Sequence, residues 1–200
     1  MPLKGSNPQA DWNRLKPDTI HAVRQLLSQL EHSESSQDLL DSYLYAKRLL
    51  AQSLQAYIRI TMADELTTLQ ELRARLGHEM KRRYGDRIPE EYLIVPYGSR
   101  THEELFTLLL QQQGRPVEAA FLRIITADSV HTERRTRELR ELGLDIETTK
   151  SGGSDVYTLK SLEIDTNMIP TIISNTIKRK KPPTRERRAL HAILGIEDRA

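Results

Sequence analysis

The 200-residue chain carries 30 Lys and Arg against 28 Asp and Glu, no cysteine, two Phe and one Trp. The lack of cysteine excludes a disulfide framework, a thiolate zinc site and a cysteine nucleophile. No apolar run reaches the roughly 18 residues of a membrane span, and the first residues lack the apolar segment of a secretory signal; a cytoplasmic protein with no membrane partner is expected.

Taken in chain order, residues 1–17 are polar and interrupted by Pro2, Pro8 and Pro17, which predicts a flexible arm. Asp18 opens a helix in which Ile20, Val23, Leu26, Leu27 and Leu30 recur at three- and four-residue spacing. The segment His32–Ser36 reads as a turn that supplies the next N-cap. From Gln37 to Met62, Leu40, Tyr43, Leu44, Lys47, Leu50, Leu54, Tyr57 and Ile58 share one side of a long helix. A break falls near Thr61–Asp64. Leu66, Leu69, Leu72, Leu76 and Met80 then continue an apolar stripe that ends in Lys81, Arg82, Arg83 and Gly85. Stripes this narrow need a partner surface. Residues 18–85 are therefore expected to form a helical hairpin or bundle, either packed on itself or used for dimerisation or docking to a larger complex. Pro89, Pro96 and Gly98 mark residues 86–100 as a linker.

Residues 101–160 carry the most specific pattern. Thr101 and Glu104 have the spacing of a capping box, and Leu105, Phe106, Leu108 and Leu109 follow on a first helix. Pro116 excludes helix around Arg115–Val117. A second helix is predicted from Glu118 through Ile125, a turn over Thr126–Val130, and a third helix from His131 to Leu142 that Gly143 terminates. Asp145–Lys150 and Val156–Leu159 alternate as two strands about the turn Ser151–Asp155. Helix, short strand, helix, turn, helix and β-hairpin is the order of a winged helix-turn-helix. The run Arg137-Glu-Leu-Arg-Glu-Leu-Gly-Leu-Asp-Ile-Glu147, followed by a glycine turn and Val156-Tyr-Thr-Leu159, resembles the recognition-helix end and wing of the biotin-operon repressor family, of WYL-type regulators and of winged-helix modules fused to HNH endonucleases. The resemblance covers about sixty residues. It implies that the third helix enters the major groove of double-stranded DNA, that Leu139 and Leu142 pack it on the core, and that the wing contacts the backbone or the minor groove.

On that basis the candidate DNA-binding residues are His131, Thr132, Arg134, Arg135 and Arg137 on the third helix, with Lys150, Ser151 and Ser154 on the wing. Arg134 and Arg135 are the candidates for base reading, because a guanidinium can hold both acceptors of a guanine edge; Thr132 and Arg137 are expected on phosphates. Glu138 is expected to face outward beside them. The charge of this segment is nearly balanced, with 9 basic and 10 acidic residues over 98–160. The excess lies beyond it, where 178–188 holds seven cations and one anion. Lys178, Arg179, Lys180 and Lys181 are therefore further candidates, able to neutralise phosphates without reading sequence, in a tail over 161–200 whose Leu162, Ile164, Met168, Ile169, Ile172 and Ile173 should pack back on a domain. Thr184–Arg188 resembles the linker that precedes the nuclease in HNH-fused winged helices, but no Cys/His cluster follows it, so the nuclease part is expected to be absent.

No catalytic constellation emerges. The six histidines have no metal-ligand spacing, His102-Glu-Glu-Leu-Phe106 lacks the second histidine of a zincin, and neither a phosphate loop nor a nucleophile elbow occurs. The expectation is a mainly α protein with a small β-wing: a long-helix hairpin or bundle, a winged helix and a basic helical tail, with no metal or cofactor. Its role would be a transcriptional regulator or the DNA-recognition subunit of a larger bacterial or mobile-element complex. The alternative is a structural adaptor whose winged helix holds another protein.

Overall fold

The computed structural model describes residues 7–32, 35–62, 67–127 and 132–196. Within them the chain forms α1 (Pro8–His32), α2 (Ser36–Ile60), α3 (Thr68–Tyr84), α4 (Arg100–Gln111), β1 (Val117–Glu118), α5 (Ala119–Ile125), α6 (Thr132–Glu141), β2 (Leu144–Ser151), β3 (Ser154–Ile164), α7 (Ile169–Lys180) and α8 (Thr184–Ile193). The protein is mainly helical with one small antiparallel sheet. Packing divides it into two compact units, Met1–Asp64 with Ala119–Thr132, and Glu65–Glu118 with Glu133–Ala200.

In the first unit, α1 and α2 form an antiparallel hairpin: Thr19 reaches Ser53 through their hydroxyls and the Trp12 ring lies 5.1 Å from that of Tyr57. The helix begins well before the expected Asp18. Asn7 accepts from the Gln9 amide at 3.0 Å, and Pro8 takes the first helical position, where its missing N–H is no loss and its fixed φ helps. Pro17 lies inside the helix and forgoes one backbone bond there. At the other end, the Ser35 hydroxyl accepts from the Asp38 amide and starts α2, as the turn chemistry predicts. The hairpin seam is made of small residues: Thr19, Ala22, Ser42, Ala46, Ser53 and Ala56 are buried along it with Leu49. Of the large apolar residues in the two stripes, Leu26 packs against this seam, whereas most of the others stay exposed, Leu27 at 54 % and Leu30 at 64 %. Small side chains let two backbones approach closely, and this geometry turns the neighbouring large ones outward. On α5, the Ile125 carbonyl accepts from Gln55 Nε2 at 2.6 Å.

The second unit is built on an aliphatic core of Leu76 and Met80 from α3, Ile169, Ile172, Ile173 and Ile177 from α7, and Leu190 and Leu194 at the end of the chain. The stretch expected to be a linker belongs to this core: Ile88, Tyr92 and Leu93 are buried in it around a single 3-10 turn, Glu90–Tyr92. The basic tail is equally folded. α7 carries Lys178, Arg179 and Lys180 in its last turn, and Lys181 adopts a left-handed conformation (φ 51°) before Pro182 and Pro183 lead into α8.

The sheet order is β1-β3-β2. β2 and β3 pair from Ser151↔Ser154 through Ile146↔Leu159, with an irregularity at Leu144–Ile146, and β1 adds Val117↔Tyr157. Gly152 and Gly153 hold positive φ of 56° and 82°, the pattern of a two-residue hairpin turn. Gly143 (φ 87°) stops α6 where a side chain would meet the Asp165 carbonyl, as close as 2.7 Å from the Cβ position.

Candidate nucleic-acid interface

The outward surface of α6 is held by one buried carboxylate. Glu138, expected outside, is only 5 % exposed. It accepts from Arg135 at 2.8 Å and from Arg134 at 3.1 Å, and it meets His102 Nε2 at 2.9 Å. His102, on the first turn of α4, is buried as well and places its Nδ1 2.7 Å from the Ser99 hydroxyl. Burial of Glu138 favours its neutral form, but hydrogen bonds from His102, Arg135 and Arg134 outweigh this and hold its carboxyl below the usual range. For His102 the balance falls the other way. Burial lowers its pKa from the ordinary 6.5 despite Glu138, so the ring is neutral near pH 7. A neutral ring that donates from Nε2 to Glu138 leaves Nδ1 to accept from Ser99.

Backbone geometry fixes this cluster. The Arg73 guanidinium donates to the carbonyls of Val95 (2.8 Å) and Pro96 (3.2 Å) and lies over Gly98, where a Cβ would come within 2.3 Å of it. Tyr97 is forced to a positive φ of 61°, a strained conformation for a bulky residue. Its hydroxyl donates to Glu141 at 2.6 Å, and burial, reinforced by that carboxylate, pushes its pKa up to about 12. The Arg179 guanidinium of α7 stacks 5.5 Å from the Tyr97 ring. Tyr97, Ser99, His102, Arg134, Arg135 and Arg179 thus line one shallow cavity of about 370 Å³. Three guanidinium groups and one carboxylate, Glu138, line it, with Glu141 at its edge on the Tyr97 hydroxyl, which leaves a positive excess.

Of the residues singled out from sequence, Arg134, Arg135 and Arg179 converge on this cavity. The Arg137 side chain is 61 % exposed, with Glu141 at 4.0 Å. Thr132 is corrected: it is buried, its hydroxyl 2.6 Å from that of Thr126, and it has no surface to offer a phosphate. His131 lies outside the described residues. Lys150, Ser151 and Ser154 are exposed at the tip of the β2–β3 hairpin and line no part of the cavity. Lys178 and Lys181 are exposed, whereas Lys180 pairs with Glu91 at 3.0 Å and lies over the Tyr92 ring. The start of α4 is also corrected. Ser99 is its N-cap, and Glu104 turns to Arg100 at 2.8 Å rather than closing a capping box on Thr101. Sequence reading missed Tyr97, Ser99 and His102, and it misplaced Glu138. His102 and Glu138 are 36 positions apart, and nothing in local spacing announces such a pair.

Among the described residues, no three His, Asp or Glu side chains gather as a metal site, and no helix is long and apolar enough to cross a membrane. Residues 102–166, about a third of the chain, match the family model of the KpnI N-terminal domain. No curated protein and no solved structure matches the chain.

Proposed function

We propose that this protein docks on double-stranded DNA through a winged helix spanning α4 to β3, as a transcriptional regulator or as the DNA-recognition subunit of a larger complex. The observation that carries the reading is the match of residues 102–166 to the KpnI N-terminal domain, which supports a DNA-related, restriction–modification setting. The order of elements supports it too: α4, β1, α5, α6 and the β2–β3 hairpin follow one another as helix, strand, helix, helix and wing. On α6, Arg134 and Arg135 stand at the surface, their side chains 62 % and 39 % exposed. Without nucleic acid both lean on Glu138. On DNA, each exchanges one acceptor for another, a phosphate oxygen or a guanine edge, while Glu138 keeps its bond to His102. Arg179 beside them supplies a contact that reads no sequence, and Lys150, Ser151 and Ser154 supply wing contacts to the backbone.

The test is duplex binding followed by fluorescence anisotropy over a range of salt. The affinity should fall steeply and linearly on a log–log plot. Arg134→Ala with Arg135→Ala should weaken it by about 1–3 kcal/mol for each lost base contact, with the helical circular dichroism retained at the assay temperature and a lower melting temperature because Glu138 loses two donors. If no duplex binding is measurable even at low salt, the reading fails and the adaptor alternative takes its place.

A further inference from the structure

The exposed side of the α1–α2 hairpin has a repeat that a solvated surface does not need. On α1, Ile20, Val23, Leu27 and Leu30 follow at steps of three, four and three. On α2, Leu40, Tyr43, Lys47, Leu50, Leu54 and Tyr57 follow at steps of three, four, three, four and three. Both are seven-residue repeats, the spacing of a coiled-coil seam. Neither stripe is the seam inside the hairpin, which Thr19, Ala22, Ser42, Ala46, Leu49, Ser53 and Ala56 already fill. Seven of the ten positions come one residue after a seam position, 20 and 23 after 19 and 22, and 43, 47, 50, 54 and 57 after 42, 46, 49, 53 and 56; the other three, 27, 30 and 40, come one after the half-buried Leu26, Gln29 and Leu39.

That offset decides where the stripes point. One residue along an α-helix is a rotation of about 100°. Viewed along the hairpin, a chain running away from the observer turns clockwise and one running toward the observer turns counter-clockwise. With the two seams facing each other, the next residue on both helices therefore points to the same side of the pair. The two stripes form one continuous apolar face.

We propose that this face joins a second copy of the chain, so that two hairpins close into a four-helix bundle. The apolar side chains on it are exposed by between 38 % (Leu50) and 64 % (Leu30). Together they present on the order of 800 Å² per copy, beyond the few hundred Å² that monomers usually leave open and about what each partner contributes to a standard interface. A seven-residue repeat on both helices matches another helical pair of the same repeat, and a second copy supplies one. Arg24 and Glu31 flank the α1 stripe one heptad apart with opposite sign, so antiparallel copies offer each cation an anion. Lys47 takes the polar place within the α2 stripe, a device that fixes register and copy number at some cost in stability.

This inference is independent of the DNA reading, and its readout is mass rather than duplex affinity. Light scattering coupled to size exclusion on the full chain should give twice 23.0 kDa at tens of micromolar. Leu27→Glu with Leu30→Glu, both more than half exposed in the single chain, should return it to the monomer mass with the far-ultraviolet helical signal intact. Should that pair lose helicity, Leu27→Ala with Leu30→Ala decides, with at least a tenfold weaker dimer expected. A strictly monomeric wild-type chain, a larger assembly, or a dimer indifferent to both pairs of substitutions overturns the proposal.

Discussion

Glu138 and His102 form a buried polar pair, and such a pair is stabilising only while every lone pair and proton has a partner. Ser99, Arg134 and Arg135 supply those partners. The consequence can be read against pH. Because burial lowers the His102 pKa in the folded chain below its ordinary 6.5, the unfolded chain binds the proton more readily. The stability this contributes is complete above the unfolded value of about 6.5 and declines as pH falls toward the lower folded value. The lowered Glu138 carboxyl acts in the same direction further into acid: its contribution is present above the ordinary carboxylate range and is lost as pH falls through the folded value. Urea unfolding at pH 7 and pH 5 should therefore show a clear loss of stability on acidification. In His102→Asn that loss should be visibly smaller, and an unchanged slope would mean that His102 does not titrate between the two states.

At the level of elements, what was legible in sequence was what neighbouring residues decide. Gly143 ending α6, the Gly152–Gly153 turn, Pro116 before α5 and the core-facing Leu139 and Leu142 follow from φ preferences and helical spacing, and all stand in the structure. Helix starts were less legible. Pro8 and Ser99 begin helices earlier than the polar and capping patterns suggest, because prolines and serines serve loops and first turns alike. Gly114, which follows α4 with a positive φ, differs in kind from Gly143. Gly143→Ala must strain a positive φ and push a methyl group into the Asp165 carbonyl, whereas Gly114 (φ 77°) has open space around it. Thermal unfolding should show Gly143→Ala destabilised by about 2–4 kcal/mol, against about 1 kcal/mol for Gly114→Ala. Equal losses would mean that the contact with Asp165 contributes nothing.

Across the whole molecule, periodicity identified the apolar stripes of α1 and α2 but could not say which side of each helix is covered. That depends on how closely the backbones approach, and Ala22, Ala46 and Ala56 settle it without standing out in the pattern. The basic tail is helical and packed back, as its apolar residues suggest: Ile169, Ile172 and Ile173, with Ile177, Leu190 and Leu194, anchor its two helices in the core of the second unit. Removing residues 178–200 should therefore unfold that unit rather than merely strip charge from it. Lys178→Gln with Lys181→Gln is the cleaner probe. It should leave the melting temperature within a degree or two and reduce the salt slope of duplex binding by about 1–2, and an unchanged slope would remove both lysines from the interface.

The chain passes between the two units at Asp64–Glu65, Glu118–Ala119 and Thr132–Glu133. Neither unit is one continuous stretch of polypeptide: the first includes a fourteen-residue insert carried within the sequence of the second. No single break in the backbone frees either of them whole, and residues 1–64 on their own lack the α5 segment that packs with them. The boundaries at which such a protein could be shortened, fused or recombined are therefore pairs of positions, not points.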